Sequence, residues 1–266
     1  MIRKYLVFMV LFGGPLVGGC VTNPVTGKEQ LMFLSVQDDI ELGKKLAPEM
    51  EKQSGGRVED AAVQNYINSV GQKLAAVSGM PEMEFHYTAV NDKAVNAFAL
   101  PGGYVYITKG LLKQLKDESQ LAGVLGHETG HVTARHAAEA MSKQMGVELL
   151  LSIVTSDKTP QSVVQITQLV WNLKQMQYSR TDENEADSLG LGYMVKAGYD
   201  PWGMVETMKM LSEENESRPI EFLSTHPDPE RRMSLLSEQI GQRYFNTSGL
   251  RRGKEDYEQF VLGKLN

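Results

Sequence analysis

The sequence predicts an α+β fold, mostly helical, with a small three-stranded sheet beside one helix that carries two histidines and a glutamate. Three observations lead there. Apolar residues recur at i, i+3 and i+4 over most of the chain after residue 35. The period drops towards two only over 84–108, where aromatic and β-branched residues gather. His127-Glu128-Thr129-Gly130-His131 then lies in a helical stretch, behind an apolar stripe of Leu121, Val124 and Leu125. With 266 residues, 41% of them hydrophobic, the chain can bury one substantial core.

The N-terminus stands apart from that core. Arg3 and Lys4 form a short basic region, an apolar run spans 5–12, and Gly13, Gly14 and Pro15 loosen the chain before Leu16-Val17-Gly18-Gly19-Cys20. This reads as a secretory signal over 1–19. Its end resembles a bacterial lipobox, with the single cysteine, Cys20, as the residue to be lipidated. The apolar run is too short and too broken for a spanning helix. Val21 rather than Asp follows the cysteine, which by resemblance to known sorting signals favours the outer membrane in a Gram-negative cell. One cysteine excludes a disulfide framework. The net charge is −6, and about −8 once Arg3 and Lys4 are removed. With no Lys/Arg-rich stripe, that charge argues against a nucleic-acid partner.

Residues 20–34 read as a lipidated tether with turns at Asn23-Pro24 and Gly27. Ser35, paired with Asp38, caps a helix to about residue 52, ended by Gly55-Gly56. A second helix is expected over 58–77, with Val63, Tyr66, Ile67, Val70 and Leu74 on one face. Strands follow at 85–90, 95–100 and 103–108, with Pro101-Gly102-Gly103 as a turn. Asp117 starts the histidine-bearing helix, expected to run unbroken to about residue 143. Further helices are expected over 160–178 and 181–197, and after Asp200-Pro201 and Asp228-Pro229, each capped by its Asp. The most apolar pieces, 145–154 and 163–170, are interrupted by Glu148, Gln165, Thr167 and Gln168. They fall short of the ~18 clean apolar residues of a membrane span and read as core helices. The other reading is an exposed patch facing substrate or membrane. Residues 241–266 read as a polar C-terminal extension with a short helix.

Spacing makes the HETGH segment chemical. A step of four residues turns a helix by about 400°, so His127 and His131 share one face about one turn apart. Both imidazoles can then reach one ion at about 2.0–2.1 Å. Glu128, about 100° round, can touch a metal-bound water without ligating the metal. This is the pattern of a catalytic zinc site with one Zn²⁺ per chain, which needs a third protein ligand and an open position. On a continuous helix His136 lies about 140–180° off that face, which excludes it, and Ala134-Arg135 offers no glycine to break the helix. Downstream, Glu183 and Asp187 share a face and could supply a ligand and an outer partner for a ligand imidazole. An acidic first turn is also what the helix dipole favours, and periodicity leaves Glu183 and Glu185 both open.

HETGH followed downstream by Glu183-Asn184-Glu185-Ala186-Asp187 resembles the gluzincin-type metallopeptidase family of the CaaX prenyl protease and HtpX, in its soluble bacterial lipoprotein and periplasmic branch (BepA/LoiP-like). The resemblance covers roughly 23–240 and includes Asn23-Pro24-Val25-Thr26-Gly27, Asn96-Ala97-Phe98-Ala99-Leu100-Pro101-Gly102-Gly103 and Ser224-Thr225-His226-Pro227. It implies a zincin-like metallopeptidase domain over 35–240, with zinc held by His127, His131 and Glu183. Asp187 would support a ligand from behind, and Glu185 would stand outside the metal shell. The resemblance also implies that Ala97, Phe98 and Ala99 form a sheet edge to which a peptide substrate adds as a strand. His226 would approach the metal, either to donate to the oxyanion or to occupy the open position and hold the enzyme latent. Arg180 is a further candidate donor.

The expected activity is a zinc-dependent endopeptidase of envelope quality control, with Glu128 as general base towards a zinc-activated water. The expected partners are unfolded or misassembled envelope proteins, the membrane through the lipid anchor, and an outer-membrane assembly machine. The expected place is the periplasmic side of the envelope. The competing expectation is a lipid-anchored periplasmic chaperone or assembly factor with a latent or structural zinc site. Glu128 argues for catalysis, because structural zinc takes four protein ligands and needs no base.

Overall fold

The computed structural model describes residues 19–145, 147–155, 159–215, 219–244 and 246–265. The expected signal over 1–19 lies outside them apart from Gly19. Capping chemistry sets most boundaries. A hairpin of β1 (Gly19–Thr22) and β2 (Glu29–Met32) comes first. Ser35 and Asp38 form a capping box on α1 (Val36–Gln53), and the Asp60 side chain caps α2 (Ala61–Ala75). The strands β3 (His86–Val90), β4 (Ala97–Leu100) and β5 (Tyr104–Thr108) lie in the order β3-β5-β4. Strand β5 is parallel to β3 and antiparallel to β4. After the short α3 (Lys109–Leu112), Asp117 caps α4 (Glu118–Thr133) as expected. Then come α5 (His136–Gln144), α6 (Val147–Thr155) and α7 (Pro160–Lys174). The chain continues through α8 (Arg180–Lys196), α9 (Trp202–Asn215), α10 (Glu221–Thr225), α11 (Pro229–Arg243) and α12 (Lys254–Tyr257). The fold is α+β and mostly helical, and the three strands lie where the change of period put them.

The sheet is buried on both faces, and its alternation sorts the core. Tyr87, Ala89, Ala97, Ala99, Val105 and Ile107 join Val63, Ile67, Val70 and Leu74 of α2 and Leu121 and Leu125 of α4. On the other face Phe98, Leu100 and Tyr106 join Leu42, Leu46 and Met50 of α1, and Leu150, Ile153, Leu169 and Val170 of α6 and α7. The two apolar pieces are therefore core helices in part. Val163, Val164 and Trp171 of α7 remain exposed. No helix among the described residues is long and apolar enough to cross a membrane.

Four expectations change. The helix from Asp117 does not run on to residue 143. It stops at Thr133, and Arg135 takes a left-handed backbone (φ 59°) before α5 begins. An arginine can hold that conformation here because its guanidinium is fixed by buried Asp39 (2.7 Å) and the Leu34 carbonyl (2.7 Å). Burial drives the Asp39 carboxyl up to about 6 against the pull of Arg135. Next, residues 20–34 are more than a tether. Asn23 and Gln30 are buried and donate to the carbonyls of Thr133 and Ala134, satisfying acceptors that the end of α4 leaves open. Finally, Tyr257, Val261 and Leu265 of the C-terminal segment share the main core. Asp228, expected to cap a helix like Asp200, instead sits left-handed (φ 60°) without a side-chain cap.

The C-terminal segment also anchors the start of α4. Arg252 pairs with Asp117 and Glu206, and Arg251 with buried Glu118, which also accepts from the Tyr66 and Tyr199 hydroxyls. Burial pushes the Glu118 carboxyl up, but hydrogen bonds from Arg251, Tyr199 and Tyr66 outweigh it and leave the group below its ordinary 4.5. A carboxyl lowered in the folded state stabilises fully above its unfolded value and loses that contribution as pH falls through the folded one. Arg251→Ala should therefore cost about 1–3 kcal/mol in urea unfolding at neutral pH. The gap from wild type should narrow in acid, below about pH 4.5. A gap that stays constant from neutral to strongly acidic pH would show that Glu118 is not the group stabilised.

Candidate metal centre

Helices α4 and α8 cross with their backbones almost touching, and small residues permit it. A Cβ on Gly130 would come within 2.6 Å of the Ala186 carbonyl oxygen, and one on Gly190 within 2.7 Å of the Gly126 carbonyl carbon. This approach brings Glu183 and Asp187 of α8 against His127 and His131 of α4. A third element completes the site. His226, at the C-cap of α10, is carried in by a loop tied to the segment before α8, where Tyr178 N–H and Gln177 Nε2 donate to the Thr225 and Ser224 carbonyls.

Donor atoms of His127, His131, Glu183 and His226 all lie within 4.8 Å of one another, and all four residues are buried. His127 Nε2 is 3.0 Å from His131 Nε2 and 3.2 Å from His226 Nδ1. Glu183 Oε1 is 2.9 Å from His226 Nδ1 and 3.4 Å from His131 Nε2, and Glu183 Oε2 is 3.5 Å from His127 Nε2. Four ligands bound tetrahedrally at about 2.0–2.1 Å stand about 3.3–3.4 Å apart, and the observed separations straddle that value. His127 donates its Nδ1 proton to Asp187 Oδ1 (2.9 Å), so Nε2 presents a lone pair to the cluster. Imidazole nitrogens converging on a carboxylate make a place that could hold a cation.

The buried charge points the same way. Glu128, Glu183 and Asp187 are buried around one guanidinium, Arg232. Burial opposes charge on His226, but Glu183 and Glu128 draw its imidazole above the ordinary value. The same carboxylates would hold a divalent ion. Glu128 Oε1 has no hydrogen-bond partner, and Glu183 Oε2 lies 2.6 Å from Arg232 Nη1 without the alignment of a hydrogen bond. Such orphaned buried acceptors are costly, so the donor set fits a metal.

The protonation pattern follows from burial and neighbours. Burial raises the Glu128 carboxyl above its ordinary value, over the opposing pull of His226 and His127. Burial would raise Glu183 as well, but His226 and Arg232 hold it well below the usual range. Burial and the neighbouring His127 and His136 keep His131 neutral, far below an ordinary imidazole, although Glu183 opposes them. Asp187, despite burial, is brought down to about 2 by Arg232 and by its bond to His127.

Of the residues expected at the site, His127, Glu128, His131, Glu183, Asp187 and His226 are brought together. Ala97, Phe98 and Ala99 lie on β4, one of the two outer strands of the sheet. Ala99 shares a cavity of about 10 Å³ with His131 and Tyr178. Arg180 is elsewhere, largely exposed and paired with Asp228 at 2.6 Å. His136, excluded on a continuous helix, is buried 2.9 Å from His131 Nδ1, because the break at Arg135 turns it back. Sequence reasoning missed Tyr178, which stacks on His131 at 4.0 Å, and Arg232, which bonds Asp187 through two nitrogens (2.8 and 2.7 Å). Arg232 left one signal, since with Leu236 and Ile240 it forms an i, i+4, i+8 face that carries a cation on a buried stripe.

Comparison with known proteins agrees with this chemistry. The family model for peptidase family M48 matches residues 61–240. The chain is 30% identical over 249 residues to the beta-barrel assembly-enhancing protease of Yersinia pestis, covering 86% of this chain and 51% of that one. It is 32% identical over 224 residues to the protein of that name in Escherichia coli strain K12 (80% and 46%). It is also 28% identical over 246 residues to the mitochondrial metalloendopeptidase OMA1 of Schizosaccharomyces pombe (87% and 72%). The chain thus spans about half the length of the bacterial relatives it matches.

Asp187 holds the His127 tautomer, so Asp187→Asn should weaken metal binding by about 10–100-fold in competition with a chelating dye. Unchanged affinity would remove Asp187 from the site's support.

Proposed function

The chain belongs to peptidase family M48, and from that premise we propose that it is a zinc-dependent endopeptidase of the cell envelope, anchored by a lipid on Cys20. The observation that carries the reading is the buried His127-His131-Glu183-His226 cluster with the unpartnered Glu128 oxygen beside it. His127, His131 and Glu183 would hold one Zn²⁺ through two neutral imidazoles and a carboxylate. When bound, zinc supplies Lewis acidity that polarises the scissile carbonyl and makes water nucleophilic near neutral pH.

The protein groups then divide the work. Glu128, raised by burial, takes the proton from the attacking water and returns it to the leaving amine. Asp187 and Arg232 hold His127 and Glu183 in place. A peptide adding beside Ala97, Phe98 and Ala99 would pair with the outer edge of the sheet, next to α4. Of the two roles expected for His226, occupation of the open position is favoured, because its Nδ1 stands among the donors. The enzyme is then latent in this arrangement and opens when the loop at 226–228 withdraws.

Two of the relatives are named for enhancing β-barrel assembly. That supports unfolded or misassembled envelope proteins as substrates, an outer-membrane assembly machine as partner, and a periplasm-facing outer-membrane location. A second reading, an anchored chaperone whose metal site stays shut, is favoured by His226 among the donors and by exposed Val163, Val164 and Trp171 on α7.

Casein digestion separates the two readings. The wild type should cleave slowly and stop when metal is chelated. Glu128→Gln should keep its metal and lose about 10²–10⁴ in rate. His226→Ala should cleave faster, whereas an oxyanion donor would make it slower. Metal without digestion in both the wild type and His226→Ala would favour the chaperone. For the anchor, full-length wild type expressed in bacteria should partition into the detergent phase of Triton X-114 and Cys20→Ser into the aqueous phase. Equal partitioning would rule out lipidation at Cys20.

A further inference from the structure

Taking the cluster as the metal centre just described, we propose that His136, backed by Glu185, is the positioning residue of His131. It fixes which nitrogen of His131 carries the proton and how the ring is turned. The two ligand imidazoles are supported differently. His127 leans directly on the Asp187 carboxylate, 2.9 Å away. His131 has no carboxylate behind it. Its Nδ1 faces another imidazole, with His136 Nδ1 at 2.9 Å and the rings tilted by 72°.

Two ring nitrogens at that distance share one proton, and the surroundings decide whose it is. His131 Nε2 faces the donor cluster, 3.0 Å from His127 Nε2, and must be bare to bind a cation. The proton of His131 therefore sits on Nδ1 and is donated to His136, whose own Nδ1 must be unprotonated. The proton of His136 then sits on Nε2, where Glu185 Oε2 accepts it at 3.1 Å. The opposite tautomer of His136 would turn a lone pair onto that carboxylate. Glu185 is held in turn by Lys28 Nζ at 2.7 Å on Oε1. The donors run one way, from His131 to His136 to Glu185, and the last carboxylate selects the tautomer of both rings.

This gives work to two residues the zinc-binding pattern leaves idle. Glu185, two positions from the ligand Glu183, does for His131 through an intermediary what Asp187 does for His127. His136 can serve because the left-handed Arg135 turns α5 back against the end of α4, and its imidazole is 2% exposed.

The test uses the purified full chain with zinc and, separately, with Co²⁺. His136→Leu removes the acceptor. His136→Asn keeps one, because its side-chain oxygen falls near the place of Nδ1. His136→Leu should bind zinc about 10–100-fold more weakly by dye competition, with a displaced Co²⁺ absorption band. His136→Asn should restore both to near wild type. Glu185→Ala should behave like His136→Leu and Glu185→Gln like wild type, since the amide oxygen can still accept. If His136→Leu fails to fold by circular dichroism, the Glu185 pair at the periphery decides the matter. Wild-type affinity and band in a folded His136→Leu or Glu185→Ala, or no rescue by His136→Asn, would overturn the positioning role alone. A wild-type chain that binds neither metal would overturn the metal-centre reading beneath it.

Discussion

The close crossing of α4 and α8 is the constraint on which the rest of the molecule depends. Two imidazoles one turn apart on α4 make half a metal site. The other half must come from a helix near enough for a glutamate to span the gap. Gly126 and Gly130 on one side, and Ala186 and Gly190 on the other, remove the side chains that would hold the helices apart. The glycine inside HETGH is thus a spacing device between helices as well as part of a local pattern.

Both ends of α4 are tied down, which a site with sub-ångström tolerances requires. At the start, Asp117 and Glu118 are gripped by Arg252 and Arg251 from the far end of the chain. At the finish, the N-terminal hairpin donates to the last carbonyls, and Arg135 reverses the chain under the hold of Asp39. Segments that look peripheral in sequence therefore hold the histidine-bearing helix in register. The left-handed arginine is local strain held by a buried ion pair, and its effect is to swing His136 behind His131.

The centre concentrates charge where a core ordinarily excludes it. Glu128, Glu183, Asp187 and Arg232 are each 3% exposed or less. A buried set of this kind is weak as a source of stability, because desolvation offsets most of the Coulombic gain. Its value is in orientation. Arg232 holds two carboxylates of α8 at once, and Asp187 and Glu185 reach the two imidazoles of α4 by different routes, one directly and one through His136. His226 enters at the end of α10, followed by a left-handed residue between two prolines, whereas the other three donors are carried by α4 and α8.

Much of this was legible in order along the chain. The capping pair at Ser35, the strands over 84–108, the Asp117 cap and the one-face geometry of His127 and His131 depend on neighbours within a turn or two, and local physics suffices for them. The acidic segment was legible as a helix start, but choosing Glu183 over Glu185 needed family resemblance, because periodicity measures angle and not distance to another helix. Arg232 and His136 were not readable as site residues. Arg232 acts across 45 residues of sequence on Asp187, and a continuous helix would carry His136 away from the site. What broke that helix was Asp39, 96 positions upstream, supplying the charge that lets Arg135 turn left-handed. Local order along the chain is enough to place most elements and to set His127 and His131 on one helix face. Which distant charges meet them is a matter of packing, because helical periodicity orients side chains within an element while packing between elements sets the distances between their polar atoms.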